Sequence, residues 1–127
     1  MTVFDSSVLI AHLRGDERAT ALLTDVATDA RLASVMARVE IEGGMRSAER
    51  ARVASLFGVI RLLPVSDAIA SRAAEHLRRY RRSHSGIDLV DYVVAATAEL
   101  HDAELATLNV RHFPMFKGLR APFRLPS

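Results

Sequence analysis

The sequence of 127 residues contains no cysteine and no tryptophan. Without thiols the chain can form neither disulfides nor thiolate zinc sites, and it has no cysteine nucleophile. No uncharged apolar run approaches the ~18 residues that a membrane-spanning helix requires, and Asp5 interrupts the N-terminus before a signal-peptide core could form. We therefore expect a protein of the reducing cytoplasm with no membrane association.

Lysine is almost absent, because Lys117 is the single lysine among the 17 basic residues. Arginine suits phosphate, since its planar fork can bind two oxygens at once. The arginine codons of a GC-rich genome explain the bias equally well, and the formal net charge is only +2. The composition therefore permits a nucleic-acid partner without requiring one.

Half of the residues are hydrophobic and a quarter are charged, which is ordinary for a globular protein. The length predicts one domain over 1–127 that needs no disulfide or structural metal to fold. The predicted strands are 2–5, 31–34, 61–65 and 104–109, and the predicted helices are 6–13, 16–27, 35–49, 50–60, 66–82 and 88–100. This alternation predicts an α/β sandwich with a short, mostly parallel sheet flanked by helices.

Acidic residues stand where such a sheet would place a site, at the carboxyl ends of strands. Asp5 follows the apolar segment "TVF" directly. It could cap the helix over 6–13, although Ser6 and Ser7 would cap it equally well. An ionised carboxylate beside a buried strand end is costly unless something pairs with it, so a functional role stands open beside the capping role.

The segment "GIDLVDYVVAATAEL" (86–100) begins with Asp88 and Asp91 and is apolar thereafter. Both acids would lie in the first helical turn, where capping and the helix dipole stabilise carboxylates. Capping alone does not explain why the rest of the helix is apolar nearly all round. In the preceding half of the chain, Glu40 lies in a predicted helix and either joins the same site or pairs with Arg38 or Arg46.

Four acids from three separate elements could thus converge. Like charges at short range raise one another's pKa and call for a cation, and hard oxygen ligands suit Mg²⁺ or Mn²⁺. The natural chemistry of such a cluster is phosphoryl hydrolysis by a water that the cation activates.

Four segments together resemble the PIN-domain ribonucleases, most closely the VapC toxins of bacterial toxin–antitoxin pairs. These segments are "VFDSSVLIAHLRGD", "SVMARVEIEGG", "GIDLVDYVVAATAEL" and "LATLNVRHFPMFKGL", and the likeness covers about 5–123. The resemblance implies a PIN-like three-layer sandwich and a divalent-metal-dependent endoribonuclease. It also implies inhibition by a cognate VapB-like antitoxin and a homodimer.

The resemblance assigns Asp5, Glu40 and Asp91 as metal-site acids, with Asp88 as a near neighbour. It implies that Ser6 and Asn109 hold these acids by hydrogen bonds. Many relatives carry a further acid just before the aromatic residue of the last segment. His112 stands there in this chain, either as a ligand or phosphate contact or as a loop residue near the site. Asp88 could compensate for the missing acid.

Four arginines, Arg78, Arg79, Arg81 and Arg82, precede the acidic helix. They could offset the repulsion between an acidic cluster and RNA by binding phosphates. A solvated helix end, favoured by the dipole at its C-terminus, explains them as well.

The sequence thus predicts a toxin endoribonuclease that uses Mg²⁺ or Mn²⁺ to cleave RNA. Two other functions fit the same residues. One is a housekeeping RNA-processing nuclease or a phosphatase. The other is a non-catalytic module that keeps the fold and binds nucleic acid through its arginines.

Overall fold

The computed structural model describes residues 1–123. Four strands form its sheet: β1 (Thr2–Phe4), β2 (Arg31–Ser34), β3 (Arg61–Leu63) and β4 (Glu104–Ala106). Six α-helices connect and follow them: α1 (Ser6–Leu13), α2 (Glu17–Asp25), α3 (Met36–Gly44), α4 (Arg50–Phe57), α5 (Asp67–Tyr80) and α6 (Leu89–Leu100). No helix in this part of the chain is long and apolar enough to span a bilayer.

The sheet has the order β3–β2–β1–β4, and every neighbouring pair is parallel. The chain therefore moves outward from β1 through β2 to β3 and then returns to the other side of β1 as β4. Open parallel sheets bind ligands at such a reversal point, outside the carboxyl ends of the strands. Here that point lies between β1 and β4, where Asp5 and Thr107 follow their strands.

Alternating strand residues face two cores, because successive side chains of a strand point to opposite faces. Phe4 packs in a cluster with α1–α4, whereas Val3 packs in a second cluster with α6. α5 covers the outer side of α6 through a third cluster. The α/β fold with helices on both faces of a parallel sheet is confirmed.

Several predicted elements end earlier than the sequence pattern indicated. The predicted helix over 35–49 stops at Gly44, and a separate 3-10 turn occupies Ser47–Glu49. Gly43 and Gly44 have nothing within 4 Å of where a Cβ would lie. These glycines therefore shorten the helix through their low helix propensity, with no close backbone approach. The strand predicted over 104–109 ends at Ala106, which frees residues 107–109 to turn across the sheet edge.

An ion-pair network joins α5 to α6. Arg72 binds Glu99 at 2.9 Å and Glu75 at 2.7 Å, and the buried His76 contacts Glu99 through Nε2. Burial raises the pKa of Glu99, but its hydrogen bonds with Arg72 and His76 outweigh that effect and hold the pKa below its ordinary value. Glu99 therefore stabilises the fold in its charged form.

We expect Glu99→Gln to lower the free energy of unfolding at pH 7 by about 1–2 kcal/mol, because it removes charge-assisted hydrogen bonds that are only partly screened by solvent. The depressed pKa means that this stabilisation exists above the ordinary pKa of glutamate and disappears as pH falls below it. Urea titrations at pH 7 and near pH 3 measure both effects.

Glu75→Gln is the matched control, because Glu75 pairs with the same arginine but its side chain is 62% exposed. We expect it to cost less than about 1 kcal/mol. Equal losses in the two variants at pH 7 would contradict the role given to Glu99.

Candidate carboxylate site

Asp5 is the centre of the site at the β1–β4 reversal point. It is only 3% exposed, and its Oδ2 accepts hydrogen bonds from Ser7 Oγ at 2.9 Å and Thr107 Oγ1 at 2.8 Å. No side-chain hydrogen bond caps α1, although the Asp5 carbonyl accepts from Val8 N–H. The capping interpretation of the Asp5 carboxylate therefore fails, since hydroxyls from two other positions satisfy it.

The same two hydroxyls also fasten the turn that follows β4. Ser7 Oγ accepts a hydrogen bond from Leu108 N–H at 3.0 Å, and Thr107 Oγ1 accepts one from Asn109 N–H at 3.0 Å. Asn109 thus enters this network through its backbone, whereas its exposed side chain makes no hydrogen bond within the described residues. Thr107 occupies the role that the resemblance implied for the side chain of Asn109.

Sequence reasoning missed both Ser7 and Thr107. The available signals were the second serine of "DSS" and the threonine of "TLN", each a small hydroxyl residue just beyond an apolar strand. Burial identifies the role of Thr107, because Thr107 is fully buried and a buried hydroxyl needs a partner. Ser7 is only half-buried, and its hydrogen bond to Asp5 identifies its role.

Glu40 lies on α3 within electrostatic range of the other acids. The Glu40 residue is exposed overall, yet burial of its carboxyl group is the largest cause that raises its pKa. A hydrogen bond from Ser6 lowers the pKa, and the charges of Asp5, Asp91 and Asp88 raise it. Ser6 therefore contacts an acid of the cluster, as expected, and the acid is Glu40.

Arg38 and Arg46 do not neutralise Glu40 in the described residues. Arg38 pairs instead with Glu42, one turn further along the helix, and the backbone N–H of Arg46 donates to Glu49. The ion-pair interpretation of Glu40 is therefore excluded, and its charge faces the other carboxylates.

Asp91 lies in the first turn of α6. Its Oδ2 accepts a hydrogen bond from Asp88 N–H at 3.1 Å and lies 3.1 Å from Nδ1 of His112. Burial raises the pKa of Asp91, the Asp88 N–H and the charge of His112 lower it, and the charges of Asp5 and Asp88 raise it. Asp91 thus helps to cap α6 and also belongs to the acidic cluster.

All four predicted acids therefore lie at one edge of the sheet, close enough for Asp5, Asp88 and Asp91 to raise the pKa of Glu40. Asp5 and Asp91 are held by hydrogen bonds at Oδ2, which leaves Oδ1 of each without a hydrogen bond from the described residues. Within residues 1–123 no three carboxylate or imidazole groups lie close enough to ligate one ion directly. The cluster brings together oxygen donors of the type that hard divalent cations prefer, at a spacing wider than direct ligation by three residues.

The predicted RNA-binding arginines lie at the end of α5. Arg78 and Arg79 are exposed in its last turn, and Arg81 and Arg82 are exposed just beyond it. None of the four has a carboxylate partner among the described residues. They are free to bind an anion, and their contact with RNA stays a prediction.

Comparisons with known proteins relate this geometry to a family. The family model of the PIN domain matches residues 2–117. Ribonuclease VapC10 of Mycobacterium tuberculosis is 51% identical over 128 aligned residues, which cover 100% of this chain and 96% of that protein. Ribonuclease VapC19 of the same organism is 41% identical over 97% of this chain and 100% of that protein.

Among solved structures, a chain of a toxin–antitoxin complex from Klebsiella pneumoniae superposes with a TM-score of 0.84. It is 24% identical and covers 98% of this chain and 100% of that chain. At this identity the match establishes the shared fold.

We expect Glu40→Gln to raise the free energy of unfolding at pH 7 in chelator by up to about 1 kcal/mol. The raised pKa of Glu40 means that its charged form destabilises the folded state. This penalty is absent below the ordinary pKa and grows as pH rises through the raised value. Urea titrations at pH 7 and pH 4 should show a gain at pH 7 that shrinks at pH 4.

Glu42→Gln provides the control, because it removes a charge from the same helix but breaks the pair with Arg38. We expect a small loss of stability from it at pH 7. If Glu40→Gln destabilised the protein as much as Glu42→Gln, the repulsive cluster would be refuted.

Proposed function

Because the chain belongs to the PIN-domain family and groups within it with the VapC ribonucleases, we propose that its carboxylate cluster hydrolyses RNA phosphodiester bonds with the aid of Mg²⁺ or Mn²⁺. The protein is an endoribonuclease of the toxin class, the partner of an antitoxin. The observation that carries the proposal is the convergence of Asp5, Glu40 and Asp91 at the β1–β4 reversal point.

The donor chemistry of the site fits a hard divalent cation. Asp5, Glu40 and Asp91 would hold the ion, with Asp88 assisting. Mg²⁺ commonly keeps several waters and takes one or two carboxylates directly, so a widely spaced cluster suits it. A bound cation would lower the pKa of a water and stabilise charge on the leaving oxygen.

The neighbouring residues orient these acids. Ser7 and Thr107 fix Oδ2 of Asp5, and Oδ1 is left for the ion. His112 and the Asp88 N–H together engage Oδ2 of Asp91 in the same way. His112 therefore acts by positioning a ligand, as neighbours of metal-binding groups commonly do.

The four arginines Arg78, Arg79, Arg81 and Arg82 are proposed to bind RNA phosphates. Their exposure and their lack of carboxylate partners within the described residues support this role. An acidic cluster alone would repel a polyanion, and cations nearby compensate for that repulsion.

A cavity of about 480 Å³ beside Glu40 is proposed to receive the antitoxin. Its apolar lining comes from three helices and includes Leu13 of α1, Ile41 of α3 and Val53 of α4. A partner seated there would reach the acids through Glu40. The proposal that an antitoxin is the partner follows the Klebsiella pneumoniae structure, which is a toxin–antitoxin complex.

We also propose a homodimer, as the family resemblance implies. Val39, next to Glu40, is 61% exposed, and Leu89, next to Asp88, is 66% exposed. These two apolar side chains are candidates for its interface.

We expect Asp91→Asn to abolish RNA cleavage and growth inhibition while the protein stays folded. The amide oxygen can still accept from Asp88 N–H, but the charge needed for a cation is lost. Cleavage of total RNA, followed by sequencing of the new ends, together with thermal unfolding, measures both properties.

Asp102→Asn is the control, since Asp102 is exposed at φ 50°, a backbone conformation that asparagine tolerates. It should cut RNA at the unaltered rate. Normal cleavage by Asp91→Asn would remove Asp91 from the site, and so would its failure to fold.

We further expect cleavage to leave a 5′-phosphate and a 3′-hydroxyl and to continue when the target nucleotide lacks its 2′-hydroxyl. Ribonucleases that use the 2′-hydroxyl need a paired acid and base, commonly two histidines. In this chain His12 binds Thr20, His76 contacts Glu99 and His84 binds Ser83, so these imidazoles lie in separate surroundings.

The assay uses a target RNA with one 2′-deoxy substitution at the cut site, with and without excess chelator. Loss of all cleavage in chelator is expected. A cyclic phosphate product, or activity that persists in chelator, would overturn the carboxylate–metal proposal.

A further inference from the structure

A second polar cavity lies outside the carboxylate cluster, between α5, α6 and the segment 114–117. Its volume is about 420 Å³. Arg79 and Tyr80 of α5 line one side, Glu99 of α6 contributes to the lining, and Met115 and Lys117 line the side formed by the segment. We refer to this cavity as the α5 groove.

The acids of the α5 groove are already engaged in ion pairs within its lining. Glu99 is bound by Arg72 and His76, and Glu75 is bound by Arg72. Arg79 and Lys117 line the same groove and have no carboxylate partner among the described residues. With Arg72 they make three basic side chains against two acidic ones, so the lining carries a net positive charge, and Arg79 and Lys117 present it from different sides.

The α5 groove suits a phosphate better than a base. Tyr80 is the aromatic ring that could stack a base, but the guanidinium of Arg79 lies 5.5 Å from its centroid. His84 meets the same ring edge-on at 5.4 Å, and Tyr80 also packs against the core cluster of α5 and α6. A base would have to displace one of these neighbours, whereas a phosphate needs only the free cations.

The α5 groove also borders the carboxylate cluster. His112 contacts Asp91, and Pro114, two residues later, lines the groove. Two residues of extended chain span at most about 7 Å between Cα atoms. Lys117, five residues after His112, lies at most about 17 Å from it between Cα atoms. An RNA strand with one phosphodiester at the carboxylates can therefore place a phosphate a few nucleotides away in the groove.

We propose that the α5 groove binds a backbone phosphate of the RNA substrate within a few nucleotides of the scissile bond, through Arg79 on one side and Lys117 on the other. This subsite rests on the proposed ribonuclease function. It assigns a role to the single lysine of the chain, and it separates Arg79 from Arg81 and Arg82, which do not line the groove.

The test compares RNA binding by the unaltered protein and by the double variant Arg79→Gln/Lys117→Gln. The probe is a fluorescein-labelled, mixed-sequence single-stranded RNA of about 15 nucleotides, in chelator so that it is not cut. Loss of two phosphate contacts should reduce the slope of log binding constant against log salt concentration by about 1.4. The ratio of the two proteins' affinities should therefore shrink about sevenfold between 50 and 200 mM salt. The same reduction is expected for a second RNA sequence, because phosphate contacts carry no sequence information.

Arg52→Gln/Arg61→Gln is the matched control, since it removes two cations from α4 and from the start of β3, away from the groove. Its slope should equal that of the unaltered protein. Lys117→Gln alone, at an exposed position, should reduce the slope by about 0.7 and covers the case in which the double variant unfolds. The proposal would be overturned if the slope of Arg79→Gln/Lys117→Gln equalled that of the control variant. It would also be overturned if the unaltered protein did not bind the RNA near 50 mM salt.

Cleavage is measured separately, so the two proposals fail in different ways. RNA cleavage by the unaltered protein, with a slope that the variants leave unchanged, would reject the α5 groove alone. A reduced slope without cleavage would retain the groove as an RNA phosphate site and reject the proposed ribonuclease chemistry.

Discussion

The structure depends on a buried carboxylate at the point where the sheet reverses its strand order. Asp5 lies between β1 and β4, and Ser7 and Thr107 satisfy it with hydroxyl groups. A buried charge is stable only when it is hydrogen-bonded or paired. The turn after β4 must therefore carry Thr107 back beside β1, where its hydroxyl reaches Asp5. The pairing of β1 with β4 over three residues brings Thr107 there.

Around that carboxylate the fold holds several acidic side chains close enough to repel one another. The pKa values of Glu40 and Asp91 are raised by burial and by the charges of neighbouring acids. The surrounding contacts oppose this effect only in part, through Ser6, Asp88 N–H and His112. A fold that gathers acids against their electrostatic preference is typical of a functional site. The ion pairs that do stabilise the fold, such as Arg72 with Glu99, lie elsewhere.

α6 connects the acidic cluster with the α5 groove, since its first turn carries Asp91 and its last turn carries Glu99. In the proposed function, cations such as Arg79 and Lys117 would attract the RNA backbone, and a divalent cation would neutralise the acids. On this proposal, a chain with a net charge of only +2 would bind a polyanion through cations gathered at the groove.

The sequence by itself predicted the alternation of strands and helices and singled out Asp5, Asp88 and Asp91, because hydrophobic periodicity and acids at the ends of elements are local patterns. The assignment of Glu40 to the same site rested on the family resemblance, and the role of these acids as metal ligands stays a proposal. The sequence also left Asp5 open as a helix cap and Glu40 open as an ion-pair partner. Tertiary structure decided both, since Thr107 stands 102 residues from Asp5 and Arg38 turns to Glu42. Contacts between distant segments follow from the strand order of the sheet, and no local pattern in the chain encodes that order.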